Sequence, residues 1–306
     1  MTCDQSKQIE DSNTPNTENL NTGRVLSFGE PLVDHYVDYR QEWEEESWIP
    51  PEGESAVGNP PASVKQYVSQ SFPGGRSSNH AVAAARAGAE AHIVGATGLS
   101  KLFPDRLEES NVSTDHLHLY DKPSECYIFL DDLGENRALR DGRGNMLDVG
   151  LLDQLDYKIA GEDVVLLSNG PTDQVQDSIL KEAGKTGADV IYDPSPVQGA
   201  DKFASRSEID FLTPNEPEYE ELSDLNPEAE WLKTKAKGVE HTDFEIESPE
   251  VEVVDTTGAG DTFAGYLAAG LADGIDLEDS CDRAVKAASL SVTKQGATPS
   301  VLGTAR

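Results

Sequence analysis

The stretch Val251-Glu252-Val253-Val254-Asp255-Thr256-Thr257-Gly258-Ala259-Gly260-Asp261-Thr262-Phe263 decides how this chain is read. Its alternating valines predict a strand, its centre a Gly-rich turn, and its end a helix over about 261–273. The start of a helix offers unpaired N–H groups at the positive end of the dipole, and glycines let the backbone come close to a bound anion. Asp261 puts a carboxylate inside that anion site. Two readings stand at this point. Asp261 is a first-turn acidic residue that caps the helix, or it is a general base that takes a proton from an attacking hydroxyl beside an anion hole.

Working outward, the chain alternates between apolar strands and helices. Val164–Ser168, Val190–Tyr192 and Ile209–Leu212 are predicted strands, and a helix is predicted over about 173–186. Such alternation predicts a parallel sheet covered by helices on both faces, with ligands beyond the carboxyl ends of the strands. Upstream, Arg24–Gly29 is a predicted first strand. The segment 39–72, with Glu42–Glu46 and four prolines, reads as an exposed irregular excursion. Pro73-Gly74-Gly75 then leads into the Ala-rich helix Asn79–Ala87, closed by Gly88. The turn around Asp132–Asn136 predicts a hairpin. Residues 1–22 are nearly all polar and read as a disordered N-terminal tail, or as the product of a misassigned upstream start, so the folded unit is taken as 23–306.

Asp255-Thr-Thr-Gly-Ala-Gly-Asp261-Thr-Phe263 resembles the C-terminal signature of the ribokinase-like (PfkB) carbohydrate kinases. Independently, Gly74-Gly75-x-x-x-Asn79-x-Ala81-x-Ala83-x-Ala85-Arg86-x-Gly88 resembles that family's N-terminal di-glycine signature. Phe28-Gly29-Glu30 with Asp34, Asp193-Pro194, Thr213–Glu218 and Gln295-Gly296-Ala297 fall in the family's order, so the likeness runs from about 24 to 303. The resemblance implies a three-layer α/β/α sandwich with a small β lid drawn from about 32–42 and 115–140. It also implies a homodimer through that lid. The implied reaction is transfer of the γ-phosphoryl group of ATP to a sugar hydroxyl, on ribose, fructose or 2-keto-3-deoxygluconate.

By the same resemblance Asp261 is the catalytic base, and the backbone of Thr257, Gly258, Ala259 and Gly260 forms the anion hole. Asp34, Gly74, Gly75 and Asn79 hold sugar hydroxyls, with Arg143 a candidate contact for an acidic or phosphorylated sugar. Asn215, Glu218, Asp255 and Thr256 serve the nucleotide, and Glu218 organises magnesium indirectly. Potassium supports the anion hole in some relatives. The pattern departs from the family over 222–249, where the purine pocket looks shortened and the expected turn glycine looks replaced by Lys235. That departure keeps two alternatives open: a nucleoside kinase on the same fold, and a weakened relative that only binds sugar or nucleotide.

Composition sets the outer limits. There are 57 acidic and 24 basic residues, for a net charge of −33, and the acid excess is spread along the whole chain. A nucleic acid or an anionic membrane surface needs a basic footprint that this chain lacks. At molar salt the Debye length falls to about 3 Å and such self-repulsion is screened, so the charge reads as a halophile's cytoplasmic protein. The cysteines Cys3, Cys126 and Cys281 are few and distant, which excludes a disulfide framework. The sequence has no apolar run of about 18 residues that would cross a membrane. His116 and His118 share a strand face without further ligands, and Trp43 and Trp48 read as packing residues rather than a sugar edge.

Overall fold

The computed structural model describes residues 23–38, 48–50, 55–58, 60–98, 102–121, 124–130, 136–140 and 147–294. The first part of the chain forms β1 (Arg24–Gly29), β2 (Leu32–Asp38), β3 (Ser55–Val57), β4 (Val68–Gly74), α1 (Arg76–Ala87), β5 (Glu90–Gly98), α2 (Leu102–Glu109), β6 (Val112–Tyr120), β7 (Glu125–Leu130) and β8 (Asn136–Arg140). The middle follows as α3 (Val149–Leu152), β9 (Val164–Ser168), α4 (Asp173–Thr186), β10 (Asp189–Asp193), α5 (Asp201–Ala204), β11 (Phe211–Leu212) and α6 (Glu216–Leu222). The chain then forms β12 (Glu230–Trp231), β13 (Lys233–Lys235), β14 (Gly238–Glu240), β15 (Glu245–Glu247), α7 (Ala259–Ala272) and α8 (Leu277–Ser291).

Seven strands pair in the order β12-β11-β10-β9-β1-β5-β6, each neighbour parallel. Buried on both sides, β9 reads as an unbroken apolar run, Val-Val-Leu-Leu, as a parallel strand should. Alternate residues of the strands feed two cores. Leu26, Val165 and Leu167 join Val175, Ile179 and Leu180 of α4 on one face. Val25, Val164 and Leu166 join Phe263, Leu267 and Ala268 of α7 and Cys281, Ala284 and Val285 of α8 on the other. This is the expected three-layer α/β/α sandwich. The strand order reverses beside β1, and a cleft opens beyond the carboxyl ends at that point.

A second sheet, β3-β8-β7-β2-β4, stands apart from the first. The expected lid range of 115–140 is divided: β6 takes residues 112–120 into the central sheet beside β5, and only β7 and β8 join β2. The hairpin reading holds, since β7 and β8 pair antiparallel from Leu130–Asn136 to Cys126–Arg140. The excursion over 39–72 also yields more structure than expected, because β4 runs antiparallel to β2 and delivers the chain to Gly74. Trp48 packs on Phe129 at 5.7 Å between ring centroids, within the sheet's own core. Arg143, Trp43, residues 1–22 and Gln295-Gly296-Ala297 lie outside the described residues.

Two further expectations change. Val251–Val254 forms no strand: the backbone N–H groups of Val254 and Asp255 donate to the Val292 carbonyl just past α8 instead. Within 222–249, β12 extends the central sheet, and β13-β14-β15 follow as a three-stranded antiparallel sheet. Its turn glycine is Gly238, at φ +130°, where a Cβ would lie 1.9 Å from the Ile246 carbonyl; Lys235 instead ends β13 and pairs with Glu240 and Glu245.

Helices α1 and α7 approach closely through small residues. A Cβ on Gly265 would lie 2.4 Å from the Ala83 Cβ and 2.6 Å from the His80 carbonyl oxygen. Overpacking of this kind costs about 1–3 kcal/mol, against a gain of up to about 1 kcal/mol from improved helix propensity. G265A should therefore lower the unfolding free energy by about 1–2 kcal/mol in denaturant titrations. G260A in the same helix, with open space around the new methyl, should leave stability unchanged or raise it.

Candidate active site

Two helix starts and two strand ends meet at the mouth of the cleft. Helix α7 begins after Gly258, at φ +77°, and carries Asp261 in its first turn with only 7% of its surface exposed. Helix α1 begins after Gly75, at φ +85°, and carries Arg76, Asn79 and His80. Strand β10 ends at Asp193, and β2 brings Asp34. The cleft has a volume of about 1230 Å³, ample for a nucleotide and a small acceptor together.

The Asn79 side-chain amide donates to Asp261 Oδ2 at 2.6 Å. Arg76 Nη1 lies 3.3 Å from Asp193 Oδ2 and 3.8 Å from Asp261 Oδ1. His80 Nε2 lies 3.4 Å from Asp261 Oδ1 and 3.6 Å from Asp193 Oδ2. Burial pushes the Asp261 carboxyl upward, but His80, Arg76 and the Asn79 amide outweigh it and hold the group below the usual carboxylate range. Asp261 is thus a buried group kept ionised and oriented, as a proton acceptor must be.

Asp34 has the opposite balance. Burial pushes it up to about 7, Arg140 pulls it down, and the Asp261 charge pushes it up again. The neighbouring Gly74 has a steric reason: a Cβ there would fall 1.9 Å from Asp34 Oδ2. Gly74 makes room for the carboxylate, while Gly75, Asn79 and Asp34 line the cleft.

The Gly-rich turn divides the expected nucleotide residues. Thr256, Thr257, Gly258, Ala259 and Gly260 line the cleft. Within the turn, the Thr257 N–H donates to Asp255 Oδ1 at 2.9 Å and the Ala259 N–H to the Thr256 carbonyl at 3.2 Å. Asp255, 2% exposed, is not among the described residues that line the cleft. It braces the turn instead, since Tyr36 of β2 reaches Asp255 Oδ2 at 3.4 Å.

Asn215 and Glu218 form a capping box on α6: Asn215 Oδ1 accepts from the Glu218 N–H and Glu218 Oε2 accepts from the Asn215 N–H, both at 2.9 Å. Burial and the nearby Asp193 charge push Glu218 upward, so a cation beside Glu218 would favour its ionised form. The residues present therefore fit a magnesium ion.

Sequence reasoning passed over Arg76, His80 and Arg140. Arg76 and His80 are four apart on α1 and so face the same way, a spacing that could have marked them beside Asn79. Arg140 gave no such signal; the pairing of β7 with β8 is what sets it in the cleft near Asp34. Asp34 also makes stability depend on pH. Its folded value lies above its unfolded one, so the folded state binds the extra proton and stability from this group falls as pH rises from about 4 to about 7. D34N should match the parent near pH 4 and exceed it increasingly up to pH 8, by at most about 4 kcal/mol, in denaturant titrations across pH.

This fold and this chain both have known relatives. Residues 54–303 match the model of the pfkB family carbohydrate kinases. A ribokinase of Bacillus subtilis (strain 168) is 31% identical over 248 residues, covering 74% of this chain and 84% of that one. The structure of an Arabidopsis thaliana ribokinase complexed with ribose and ATP superposes with a TM-score of 0.66 at 23% identity, covering 91% of this chain and 95% of that one. An adenosine kinase from Sinorhizobium meliloti gives 0.72 at 18% identity, covering 90% and 95%. These two structures bear on the fold, while the family match and the B. subtilis relative bear on the chemistry. The chain belongs to the pfkB family of carbohydrate kinases, phosphotransferases that act on an alcohol group.

Proposed function

We propose that this protein is an ATP-dependent sugar kinase in which Asp261 is the general base. The observation that carries the reading is Asp261 itself: buried, held ionised by its neighbours, and fixed by Asn79 at 2.6 Å. The acceptor sugar lies against Asp34, Gly75 and Asn79, with its hydroxyls paired to the carboxyl and the amide. Asp261 removes the proton of the attacking hydroxyl. The start of α7 at Gly258–Gly260 receives the transferred phosphoryl group, and Arg76 neutralises its charge. Magnesium, organised indirectly by Glu218, would neutralise the triphosphate. The nucleobase end lies between the small β13-β14-β15 sheet and α8, whose Lys235, Gly238, Val285, Ala288 and Val292 border the cleft.

Among ribose, fructose and 2-keto-3-deoxygluconate, the acid is the acceptor that brings a second carboxylate to Arg140, beside Asp34. Arg143, the residue expected to contact an acidic sugar, lies outside the described residues, and Arg140 lines the cleft near Asp34. The second sheet acts as the lid, and its closure excludes water from the reaction. A salt-rich cytoplasm as the working environment rests on the net charge of −33.

Turnover is read as ADP release at molar KCl with magnesium, over a panel of pentoses, hexoses, keto-deoxy acids and nucleosides. One acceptor should give turnover, and D261N should lose at least about 10² of it with near-normal binding. Turnover only on nucleosides would move the protein to the nucleoside kinases. Full activity in D261N would remove the general-base reading. In parallel, thermal unfolding should shift upward between about 0.1 M and 1 M KCl, as the Debye length falls from about 10 to about 3 Å.

A further inference from the structure

His80 occupies a position that packing alone does not explain. It lies one residue past Asn79 and one helical turn past Arg76, and it is 1% exposed. Its buried Nε2 makes no hydrogen bond of full geometry. Leaving such an atom unpaired is costly. What faces it instead is a pair of carboxylates, Asp261 Oδ1 at 3.4 Å and Asp193 Oδ2 at 3.6 Å. A lone pair on Nε2 would be repelled by both, so this nitrogen must carry a proton.

We infer that His80 is a positioning residue for phosphoryl transfer, an electrostatic bridge between Asp193 and Asp261 that keeps the Asp261 carboxylate oriented and ionised. The inference rests on the reading of Asp261 as the base. Asp261 has two oxygens to control, and Asn79 holds Oδ2. Oδ1 is flanked by His80 and by Arg76, which differ in one respect. The Arg76 side chain is 35% exposed and opens on the cleft, so an arriving phosphate competes for it. The His80 side chain is sealed between helices and has no such alternative. It is the counter-charge that stays with Asp261 when the nucleotide draws Arg76 away.

The charges around it support this. Asp193 reaches His80 from β10 and Asp261 from α7, while Arg76 on its own helix shares both carboxylates. Farther out, Asp34 of β2 acts on Asp261 and Glu218 of α6 on Asp193 and Arg76. Burial pulls the imidazole down, but the two carboxylates outweigh it and raise it to about 9.

Two measurements test the bridge. The first follows the His80 imidazole by NMR in the parent and in D261N and D193N, with the resonance assigned by its loss in H80Q. His80 should titrate well above the ordinary value of about 6.5, and each aspartate variant should lower it. The second is the pH profile of turnover. Removing the positive charge raises the proton affinity of Asp261, so H80Q should move the acid limb of kcat to higher pH. It should also lower kcat about tenfold while both KM values stay within about threefold, and H80A should lose more than H80Q. An H80Q enzyme with the parent's kcat and acid limb would overturn the inference, as would a His80 that titrates near about 6.5 regardless of Asp261. Inactive D261N beside unaltered H80Q would sink the positioning role alone. Active D261N would sink the base reading and the positioning role together.

Discussion

Everything at the cleft depends on how near α1 can come to α7. Gly265 facing Ala83 and the His80 carbonyl permits that approach, and the approach brings the Asn79 amide to 2.6 Å from Asp261. Larger side chains at these positions would push the helices apart before any charged group met another. The small residues that look like packing filler in the sequence therefore set the distance over which the electrostatics act. At close range in a partly dry site, those electrostatics are strong.

The resulting site is a balance of like and unlike charges. Asp34, Asp193, Glu218 and Asp261 lie within one cleft, against Arg76, His80 and Arg140. Burial raises the proton affinity of Asp34, Glu218 and Asp261, and each escapes or fails to escape according to its cationic neighbours. Asp261, with His80, Arg76 and Asn79, stays ionised. Asp34, with Arg140 but also the Asp261 charge, sits near neutrality at about 7. Environments that push two carboxylates apart in this way give them separate tasks.

The fold was legible from periodicity and punctuation. The predicted helix over about 173–186 matches α4, and Val164–Ser168 matches β9, because buried apolar runs bounded by turn residues leave few choices. The chief errors came where secondary structure depends on a partner. Val251–Val254 has strand-like valines, yet the Val254 N–H donates to the Val292 carbonyl, and Val253 and Val254 stay exposed. Residues 112–120 look like lid alternation but gain more by extending the central sheet. At the site, Asp261, Asn79 and Gly75 were readable because they sit at helix starts with fixed spacing. Asp255 and Gly74 were read as ligand contacts; in the structure Asp255 accepts from the Thr257 N–H within the turn, and Gly74 leaves space for the Asp34 carboxylate. Arg140 was out of reach, since Asp34 beside it lies on a strand distant in sequence, whereas His80 was marked by its spacing from Arg76 alone.

Strand β2 carries Asp34 and Tyr36 two residues apart, with Asp34 lining the cleft and Tyr36 bound to the aspartate that braces the Gly-rich turn. Residues at that interval share a face and stand about 7 Å apart along a strand. The strand thus acts as a ruler joining the acceptor pocket to the donor turn, with no flexible segment between its two marks. Divergence of this chain toward new acceptors is channelled accordingly. A change at Arg140, which lines the cleft, can reshape the pocket alone, whereas a one-residue slip of β2 would turn both marks away at once.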